Sequence, residues 1–373
     1  MRKDFYSGEC SCPDKVISQY ALAATCFFPG KVIFFLYLVT YETISQLTIQ
    51  LIRVMAYPAS SPTPKFVRYR EQQLDLQASG DVAAATRATY ELSLMKDSCF
   101  IELNGIVHHY HDSGPRDAKE TIVLIHGWDC WWMWWHHVIK YLNEKGVRTI
   151  AYDMRGHGWS DNDPNNHYHI DFFAHDLREL VSKLELSQFH IAAFSFGPFV
   201  ALDYARSNPG LIRSMTFFNF GLLPNNAFIK AVSTNIITFV FNNLLRKLTW
   251  WFPAYVYARL VLAKNPVPHH DILIAFSSLG LCAPDAIAQT TSQITAYETT
   301  DSVPDMVKSA DAPILFVAGQ GDAIMTCKNT KKLVELTGKG SYVEVPKCGH
   351  LITVELPDIA SELILQQIAS VGR

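Results

Sequence analysis

The sequence predicts an α/β protein with a mostly parallel sheet flanked by helices, and three observations predict it. Short apolar runs alternate with longer amphipathic stretches from Cys99 onward, which is typical of strands that alternate with helices. Several apolar runs end in Gly, Ser or Asp. With 49% apolar and 18% charged residues, the chain can build a large core. Together these features favour a parallel sheet whose two faces are both covered by helices.

The first predicted element is a β-hairpin. Two alternating runs, at 99–103 and 106–111, flank Asn104-Gly105, a dipeptide that favours a tight hairpin turn. The later predicted elements are strand 121–127, strand 147–153, helix 169–184, strand 188–194, helix 196–207, strand 211–219, strand 312–319 and strand 341–346. In parallel sheets ligands bind beyond the carboxyl ends of the strands, so the residues that end these strands are the candidates for function.

The N-terminal segment has a different character. Residues 16–57 are apolar but are interrupted by Pro29, Gly30 and Lys31, and no secretory signal fits them. After Lys31 the segment becomes amphipathic, which favours a helix lying in a membrane interface or one packed on the protein itself. We expect membrane association through 16–57. The basic residues Lys65, Arg68 and Arg70 favour a catalytic domain on the cytosolic side.

Several classes of function are disfavoured by composition and spacing. A formal net charge of −3 without a basic patch argues against a nucleic-acid surface. The eight cysteines are scattered without a CxxC pair, so we expect free thiols rather than disulfides or a zinc site. No phosphate-binding loop, dinucleotide fingerprint or metal-ligand spacing is present. We therefore expect neither a cofactor nor a metal.

Ser195 is the candidate nucleophile. It stands between the predicted strand 188–194 and the next helix, with the small residues Ala193 and Gly197 on either side. A sharp strand-to-helix turn of this kind exposes a nucleophile near backbone N–H groups that can bind an oxyanion. The pattern is usually G-x-S-x-G, and Ala193 replaces its first glycine. The alternative interpretation is that Ser195 is an ordinary helix N-cap.

Asp322 and His350 are the candidate partners of Ser195. When a serine nucleophile lies on a strand-to-helix turn of this kind, the acid and then the histidine of its triad follow it in the chain. Asp322 follows strand 312–319, and its alternative role is that of a turn former. His350 follows strand 341–346 and is the only one of the fourteen histidines beyond Asp322. The chain order therefore indicates His350 as the base and Asp322 as the acid that orients it.

An oxyanion hole is expected next to Ser195. His126-Gly127-Trp128 ends strand 121–127, and Gly127 should let the backbone turn so that the N–H of Trp128 faces the reaction. The N–H of Phe196 would be the second donor. His126 precedes the nucleophile, so we expect it to support the loop, as we expect of Gly127 and Gly197, rather than to transfer protons.

The motifs together resemble one family. H-G-W-D-C-W, D-M-R-G-H-G-W-S-D (153–161), A-F-S-F-G, G-Q-G-D and C-G-H occur in the order and spacing of the α/β-hydrolase superfamily, in its single-cap branch. The resemblance covers about 99–369 and implies the α/β-hydrolase fold. The stretch HGWDCWWMWW is most similar to epoxide hydrolases, but those enzymes have an Asp nucleophile where this chain has Ser195, which favours acyl transfer.

The motifs and the composition together predict a domain organisation and a substrate class. The expected parts are the apolar segment 1–57, a linker and helix 58–98, core 99–221, a helical cap 222–302 and core 303–373. The cap region is rich in apolar and aromatic residues, which favours a lipophilic pocket. We expect an esterase or lipase acting on a lipophilic carboxylic ester through an acyl-enzyme. The alternatives are thioesterase, C–C bond hydrolase or haloperoxidase-like chemistry on the same triad, or a non-catalytic ligand receptor.

Overall fold

The structure, a computed structural model, describes residues 59–222, 234–246, 256 and 258–372. The segment 1–57, for which we expect membrane association, lies outside the described residues. Parts of the predicted cap, at 223–233 and 247–255, lie outside them as well. Among the described residues no single helix has both the length and the apolar character of a membrane span. One pair, His269–Leu281 with Pro284–Thr295, meets both criteria only when taken together across a 97° bend.

An eight-stranded sheet forms the centre of the described chain. Its strands are β1 Ser98–Leu103, β2 Ile106–Ser113, β3 Thr121–Ile125, β4 Arg148–Tyr152, β5 Phe189–Phe194, β6 Ile212–Phe218, β7 Ile314–Gly319 and β8 Ser341–Val345. They lie in the order β1-β2-β4-β3-β5-β6-β7-β8. The pairs β1–β2 and β2–β4 are antiparallel, and every later pair in this order is parallel. The predicted fold class, a mostly parallel α/β-hydrolase sheet, is confirmed.

The β1–β2 hairpin turns where the sequence predicts it. Leu103 pairs with Ile106 across the turn. Asn104 and Gly105 have φ values of 49° and 78°, the positive angles that a two-residue hairpin turn of this hand requires. The antiparallel hairpin forms one edge of the sheet, and its second strand, β2, pairs with β4.

Helices cover both faces of the sheet. They are α1 Pro64–Gln77, α2 Val82–Leu94, α3 His136–Glu144, α4 Ile170–Lys183, α5 Gly197–Ser207, α6 His269–Phe276, α7 Ser278–Leu281, α8 Pro284–Thr295, α9 Tyr297–Ser309, α10 Cys327–Thr337, α11 Ile352–Glu355 and α12 Pro357–Val371. In β3, Ile122 and Leu124 belong to one buried cluster and Val123 and Ile125 to the other. Because successive side chains of a strand point to opposite faces, this apolar run joins both halves of the core.

Helical structure fills the described part of the segment between β6 and β7, where the cap is predicted. It includes an apolar helix, Thr234–Leu245, and helices α6 to α9. The indole N–H of Trp131 donates to the Ile274 carbonyl at 3.0 Å, and that of Trp134 donates to the Ala275 carbonyl at 2.9 Å. Helix α6 is thereby tied to the loop that follows β3. Helix α9 runs across the predicted boundary at 302–303.

The linker and helix expected at 58–98 contain two helices in the structure, α1 and α2. Thr63 caps α1, since its Oγ1 accepts a hydrogen bond from the Phe66 N–H at 3.3 Å and donates to the Trp159 carbonyl at 2.5 Å. The five cysteines within the described residues are all free thiols: Cys99, Cys130, Cys282, Cys327 and Cys348.

Candidate active site

Ser195 occupies a sharp turn between β5 and α5. Its φ of 55° lies in the left-handed region, which is unusual for a residue with a side chain and is typical of strained functional turns. The Ser195 N–H donates to the Phe218 carbonyl at 2.9 Å, which holds the turn at the end of β6. A Cβ at Gly197 would come within 2.8 Å of the Ile125 carbonyl oxygen and 2.9 Å of the His126 carbonyl oxygen. Glycine therefore lets α5 pass close to the end of β3.

His350 lies between Ser195 and Asp322. Its Nε2 is 3.2 Å from Ser195 Oγ, and its Nδ1 is 2.7 Å from Asp322 Oδ2. The other oxygen, Asp322 Oδ1, accepts the N–H groups of Ile324 and Met325 at 2.8 and 2.9 Å. An ionised Asp322 can only accept, so it selects the tautomer that carries its proton on Nδ1. Nε2 is then left as an acceptor for the serine hydroxyl.

The topology explains why residues so distant in sequence meet. Ser195 follows β5, Asp322 follows β7, and His350 follows β8; these strands belong to the parallel part of the sheet. The carboxyl ends of parallel strands share one edge. The structure thus brings together the three side chains that the sequence indicates.

Asn219 is a residue of this edge that sequence reasoning missed. It ends β6 with a φ of 51° and is fully buried. Its Oδ1 accepts the Gly319 N–H at 2.9 Å, and its Nδ2 donates to the His350 carbonyl at 2.7 Å. It therefore links the strand that leads to Asp322 with the loop that carries His350. The available signal was a polar residue ending the apolar run of β6.

Glu355 supports the same loop from its other side. The buried carboxylate accepts the Gly349 N–H at 3.1 Å and the N–H groups of Lys264 and Asn265 at 3.0 and 2.7 Å. The His350 N–H donates to the Leu262 carbonyl at 2.6 Å. The loop before α11 is consequently fixed by the segment at 262–265.

One expected oxyanion donor directly follows Ser195 in the chain, and the other belongs to a residue that lines the same cavity. Phe196 is the next residue, at the N-cap position of α5, and Trp128 lines the same cavity as Ser195. Within the part of the chain that the structure describes, the N–H groups of Phe196 and Trp128 have no acceptor. Backbone donors left free beside a nucleophile are suited to a developing oxyanion.

His126 and Gly127 have supporting roles in this loop. The His126 ring is fully buried, with Nδ1–H donating to the Gly127 carbonyl at 2.8 Å and Nε2 accepting the Met154 N–H at 3.1 Å. Burial lowers the pKa of His126, so it stays neutral with both nitrogens engaged. Glycine is needed at 127 for space, because a Cβ there would lie 2.8 Å from the ring of Phe194.

The Asp153–Asp161 motif contributes structure beneath this loop. Asp153 Oδ1 accepts the Trp132 N–H at 2.9 Å, and Oδ2 accepts the Trp159 N–H at 2.9 Å and lies 2.8 Å from His109 Nδ1. Burial raises the pKa of Asp153, but the hydrogen bond and charge of His109 outweigh this and leave it below its usual value. An ionised Asp153 thereby joins β2, the 153–161 loop and the turn at 131–135 after β3, which we call the Trp-rich turn.

A cavity of about 330 Å³ adjoins the triad. Most of its lining is apolar, and it includes the residues Trp128, Trp134, Phe194, Phe241, Leu262, Phe276, Leu279, Ile294 and Ile324. Ser195 and His350 stand in its wall. A larger cavity of about 720 Å³, which includes Lys65 and Arg246 in its lining, contains none of the triad residues. The smaller cavity is therefore the candidate substrate site.

Asp129 is the carboxylate in the lining of the smaller cavity, which also contains the polar residues Ser278, Thr291 and Thr295. It follows Trp128 with a φ of 49°. Neither of its buried carboxyl oxygens has a partner in full hydrogen-bond geometry among the described residues. Burial raises its pKa from 3.8 to about 7, against the opposing effects of the Arg246 charge and of a weak hydrogen bond with the Cys282 thiol. Sequence reasoning missed this group, because an aspartate after Gly-Trp is typical of a turn residue.

Comparison with known proteins supports the fold independently of the geometry. The family model for the alpha/beta hydrolase fold matches residues 120–240. The AB hydrolase superfamily protein YfhM of Bacillus subtilis is 23% identical over 291 residues, which covers 72% of this chain and 96% of YfhM. Epoxide hydrolase 2 of Caenorhabditis elegans is 28% identical over 121 residues, but these are only 32% of this chain and 34% of the relative.

A similar fold is also found among solved structures. A thermophilic esterase from Thermogutta terrifontis superposes with a TM-score of 0.60 at 21% sequence identity, over 74% of this chain and 97% of the esterase. At that identity the likeness concerns the fold. The chemistry has to be argued from the residues at the site.

Proposed function

Because this chain belongs to the α/β-hydrolase superfamily, we propose that it is a serine hydrolase that cleaves a lipophilic carboxylic ester through an acyl-enzyme. The observation that carries the proposal is the hydrogen-bonded chain from Ser195 Oγ through His350 to Asp322, with separations of 3.2 and 2.7 Å. Nucleophile, base and orienting acid within hydrogen-bond reach are the requirements of this chemistry.

The proposed reaction has two halves. His350 Nε2 takes the proton of Ser195 as its Oγ attacks the ester carbonyl carbon, and the resulting oxyanion is held by the N–H groups of Trp128 and Phe196. When the tetrahedral intermediate collapses, the His350 proton passes to the leaving alcohol and the acyl group stays on Ser195. Water then repeats the sequence with His350 as base, and releases the carboxylic acid.

The cavity lining supports the lipophilic part of the proposal. Aromatic and aliphatic side chains make up most of the wall beside Ser195, which favours an apolar acyl or alcohol group. Asp129, with a pKa near 7, is largely protonated in mildly acidic solution and can then donate a hydrogen bond. We propose that the substrate carries a polar group that faces Asp129.

The identity of the nucleophile argues against proposing for this chain the activity that the epoxide hydrolase relatives are named for. The position at the turn is Ser195 in this chain, and a serine alkoxide suits attack on a carbonyl carbon. Acyl transfer therefore remains the proposal, even where the local sequence is similar to that of epoxide hydrolases.

Labelling with a fluorophosphonate probe tests the proposal directly. The full-length protein should label at Ser195 and hydrolyse p-nitrophenyl esters, whereas Ser195→Ala should do neither while keeping its melting temperature. As a matched control, Ser187→Ala, at an exposed serine before β5, should label like the wild type. Absence of labelling in a folded wild-type protein, or labelling that persists in Ser195→Ala, would refute the assignment.

We further propose that residues 16–57 bind the protein to a membrane surface. The support is the sequence pattern alone: an apolar stretch broken at Pro29 to Lys31 and followed by an amphipathic run. The full chain should sediment with lipid vesicles, and replacement of Phe34 and Phe35 by Asp should release it. Full-length protein that stays in the supernatant with vesicles present would contradict the proposal.

A further inference from the structure

A cluster of two histidines and an aspartate connects the core to the segment between β6 and β7. His136 and His137 are the first residues of α3, directly after the Trp-rich turn, and Asp271 lies in the first turn of α6. We call these three residues the histidine cluster. None of them lines the cavity beside Ser195, and the proposed hydrolysis uses none of them.

The spacing within the cluster suits a metal ion. His137 Nε2 lies 3.0 Å from Asp271 Oδ2, and His136 Nε2 lies 3.6 Å from Asp271 Oδ1. One ligand atom from each residue can be chosen so that all lie within 4.8 Å of one another. Ligands about 2.0–2.2 Å from a tetrahedral zinc ion are separated by roughly 3.3 Å. Small side-chain adjustments would therefore complete such a site.

Two polar atoms of the cluster are buried without a partner. His136 Nε2 and Asp271 Oδ1 have no hydrogen-bond partner among the described residues, and their side chains are only 1% and 3% exposed. His270 Nε2 lies 3.0 Å from Asp271 Oδ1, but not in hydrogen-bond geometry. Buried polar atoms are satisfied in the great majority of cases. Two that face each other across 3.6 Å point to a bound group between them.

The surroundings orient His136 as a ligand. Its Nδ1 is 2.8 Å from the hydroxyl of Tyr90. With the proton on Nδ1 and donated to Tyr90, the lone pair of Nε2 faces the carboxylate of Asp271, which is the arrangement usual for metal-binding imidazoles.

From this geometry we propose that His136, His137 and Asp271 bind one divalent transition-metal ion of the zinc class. Imidazole nitrogens and a carboxylate oxygen are ligands that zinc accepts in a tetrahedral site. His137 is 31% exposed, which gives the ion a route from solvent and leaves the fourth position to water. The site is additional to the proposed ester hydrolysis and takes no part in it.

Such an ion would fasten α6 to the core. Trp131 and Trp134 already bond to the carbonyls of Ile274 and Ala275 in α6. Trp134 and Phe276, one from each side of this contact, line the cavity beside Ser195. The metal would therefore stabilise one wall of the substrate cavity, and its effect should be structural.

Cobalt(II) is a suitable probe because it replaces zinc in tetrahedral sites and then absorbs visible light strongly. Full-length protein stripped with EDTA should bind one Co²⁺ per chain with such a spectrum, and Zn²⁺ should displace it. Metal should also raise the melting temperature. Asp271→Asn and His136→Gln, close in size to the native residues, should each weaken Co²⁺ binding by more than about tenfold. His175→Ala, at an exposed histidine of α4, should bind like the wild type.

Two outcomes would overturn the proposal: wild-type protein that binds no Co²⁺ or Zn²⁺, or binding that Asp271→Asn and His136→Gln leave unchanged. Melting curves of the metal-free variants show whether each is folded, and fluorophosphonate labelling of Ser195 in the same samples keeps the two proposals separate. Normal labelling without metal binding would reject the metal site alone. Metal binding without labelling would reject the serine hydrolase alone.

Discussion

The carboxyl edge of the sheet differs from the side of the core that faces the predicted cap in how many of its polar atoms have hydrogen-bond partners. At the sheet edge, Asp322 uses both carboxyl oxygens, His350 both ring nitrogens and Asn219 both ends of its amide. On the cap-facing side, both oxygens of Asp129 and one atom each of His136 and Asp271 are buried without a partner in full hydrogen-bond geometry among the described residues.

We infer that the groups at the sheet edge are held in place by the fold and that those on the cap-facing side are available to bind a ligand. A buried polar atom without a partner costs about 1–3 kcal/mol, and a bound ligand can offset that cost. The satisfied network at the sheet edge would hold the proposed catalytic groups in place before substrate binds, which is how preorganised sites stabilise a transition state. The cap-facing groups are the ones we assign to substrate and metal.

The largest expected effect follows from the network at the sheet edge. Ser195→Ala and His350→Ala should each reduce kcat for p-nitrophenyl ester hydrolysis by about 10⁴–10⁶-fold, because the members of a triad act as a unit. The double variant should be little worse than either single one. Effects that multiply instead would show that the two residues act independently and would break the assignment of a shared proton.

Asp322→Asn should have a smaller effect, of roughly 10⁴-fold on kcat. The amide can donate where the carboxylate only accepts, so it favours the wrong tautomer of His350 while the imidazole stays in place. Asp305→Asn, at an exposed aspartate of α9, is the matched control and should be fully active. A loss below about tenfold for Asp322→Asn would show that another group orients His350.

The sequence was a good guide to the sheet edge for a physical reason. Apolar runs marked the strands, and the geometry of a parallel sheet brings the residues that follow its strands to one edge. Ser195, Asp322 and His350 could therefore be predicted from strand ends and chain order. The close approach that requires glycine at 127 was less visible, because it depends on the ring of Phe194, which is 67 residues away in the chain.

The cap-facing side could not be predicted in the same way. His137 and Asp271 are 134 positions apart, so no ligand spacing exists for a local motif to reveal, and the expectation of no metal came from that lack of spacing. The perturbed pKa of Asp129 arises from burial by several elements at once. Such features depend on how the elements pack, and a reading of one segment at a time does not show them.

Asp129 gives a prediction of intermediate size, on stability rather than on rate. Its carboxyl holds a proton in the folded state up to about pH 7 but loses it near 3.8 when unfolded, so the folded state binds more protons between these values. Stability should therefore fall as pH rises from about 4 to 7. Asp129→Asn removes this penalty and should stabilise the protein by up to about 4 kcal/mol at pH 8. The gain should vanish near pH 4 in chemical denaturation. An equal gain at both pH values would contradict the raised pKa.

The smallest expected effect on kcat concerns Asn219, which positions the loop of His350 without touching substrate. Asn219→Gly keeps the left-handed backbone, whose φ is 51°, but leaves the Gly319 N–H and the His350 carbonyl without their side-chain partner. Each unpaired group should lower the free energy of unfolding by about 1–3 kcal/mol. The loop that carries His350 should also shift, and a displacement of this kind can lower kcat by up to about 10²-fold. Because Asn219 itself does not line the cavity beside Ser195, KM should change much less than kcat. A purely structural asparagine would lower the melting temperature but leave kcat per folded molecule intact, so kcat measured well below the melting temperature distinguishes the two roles.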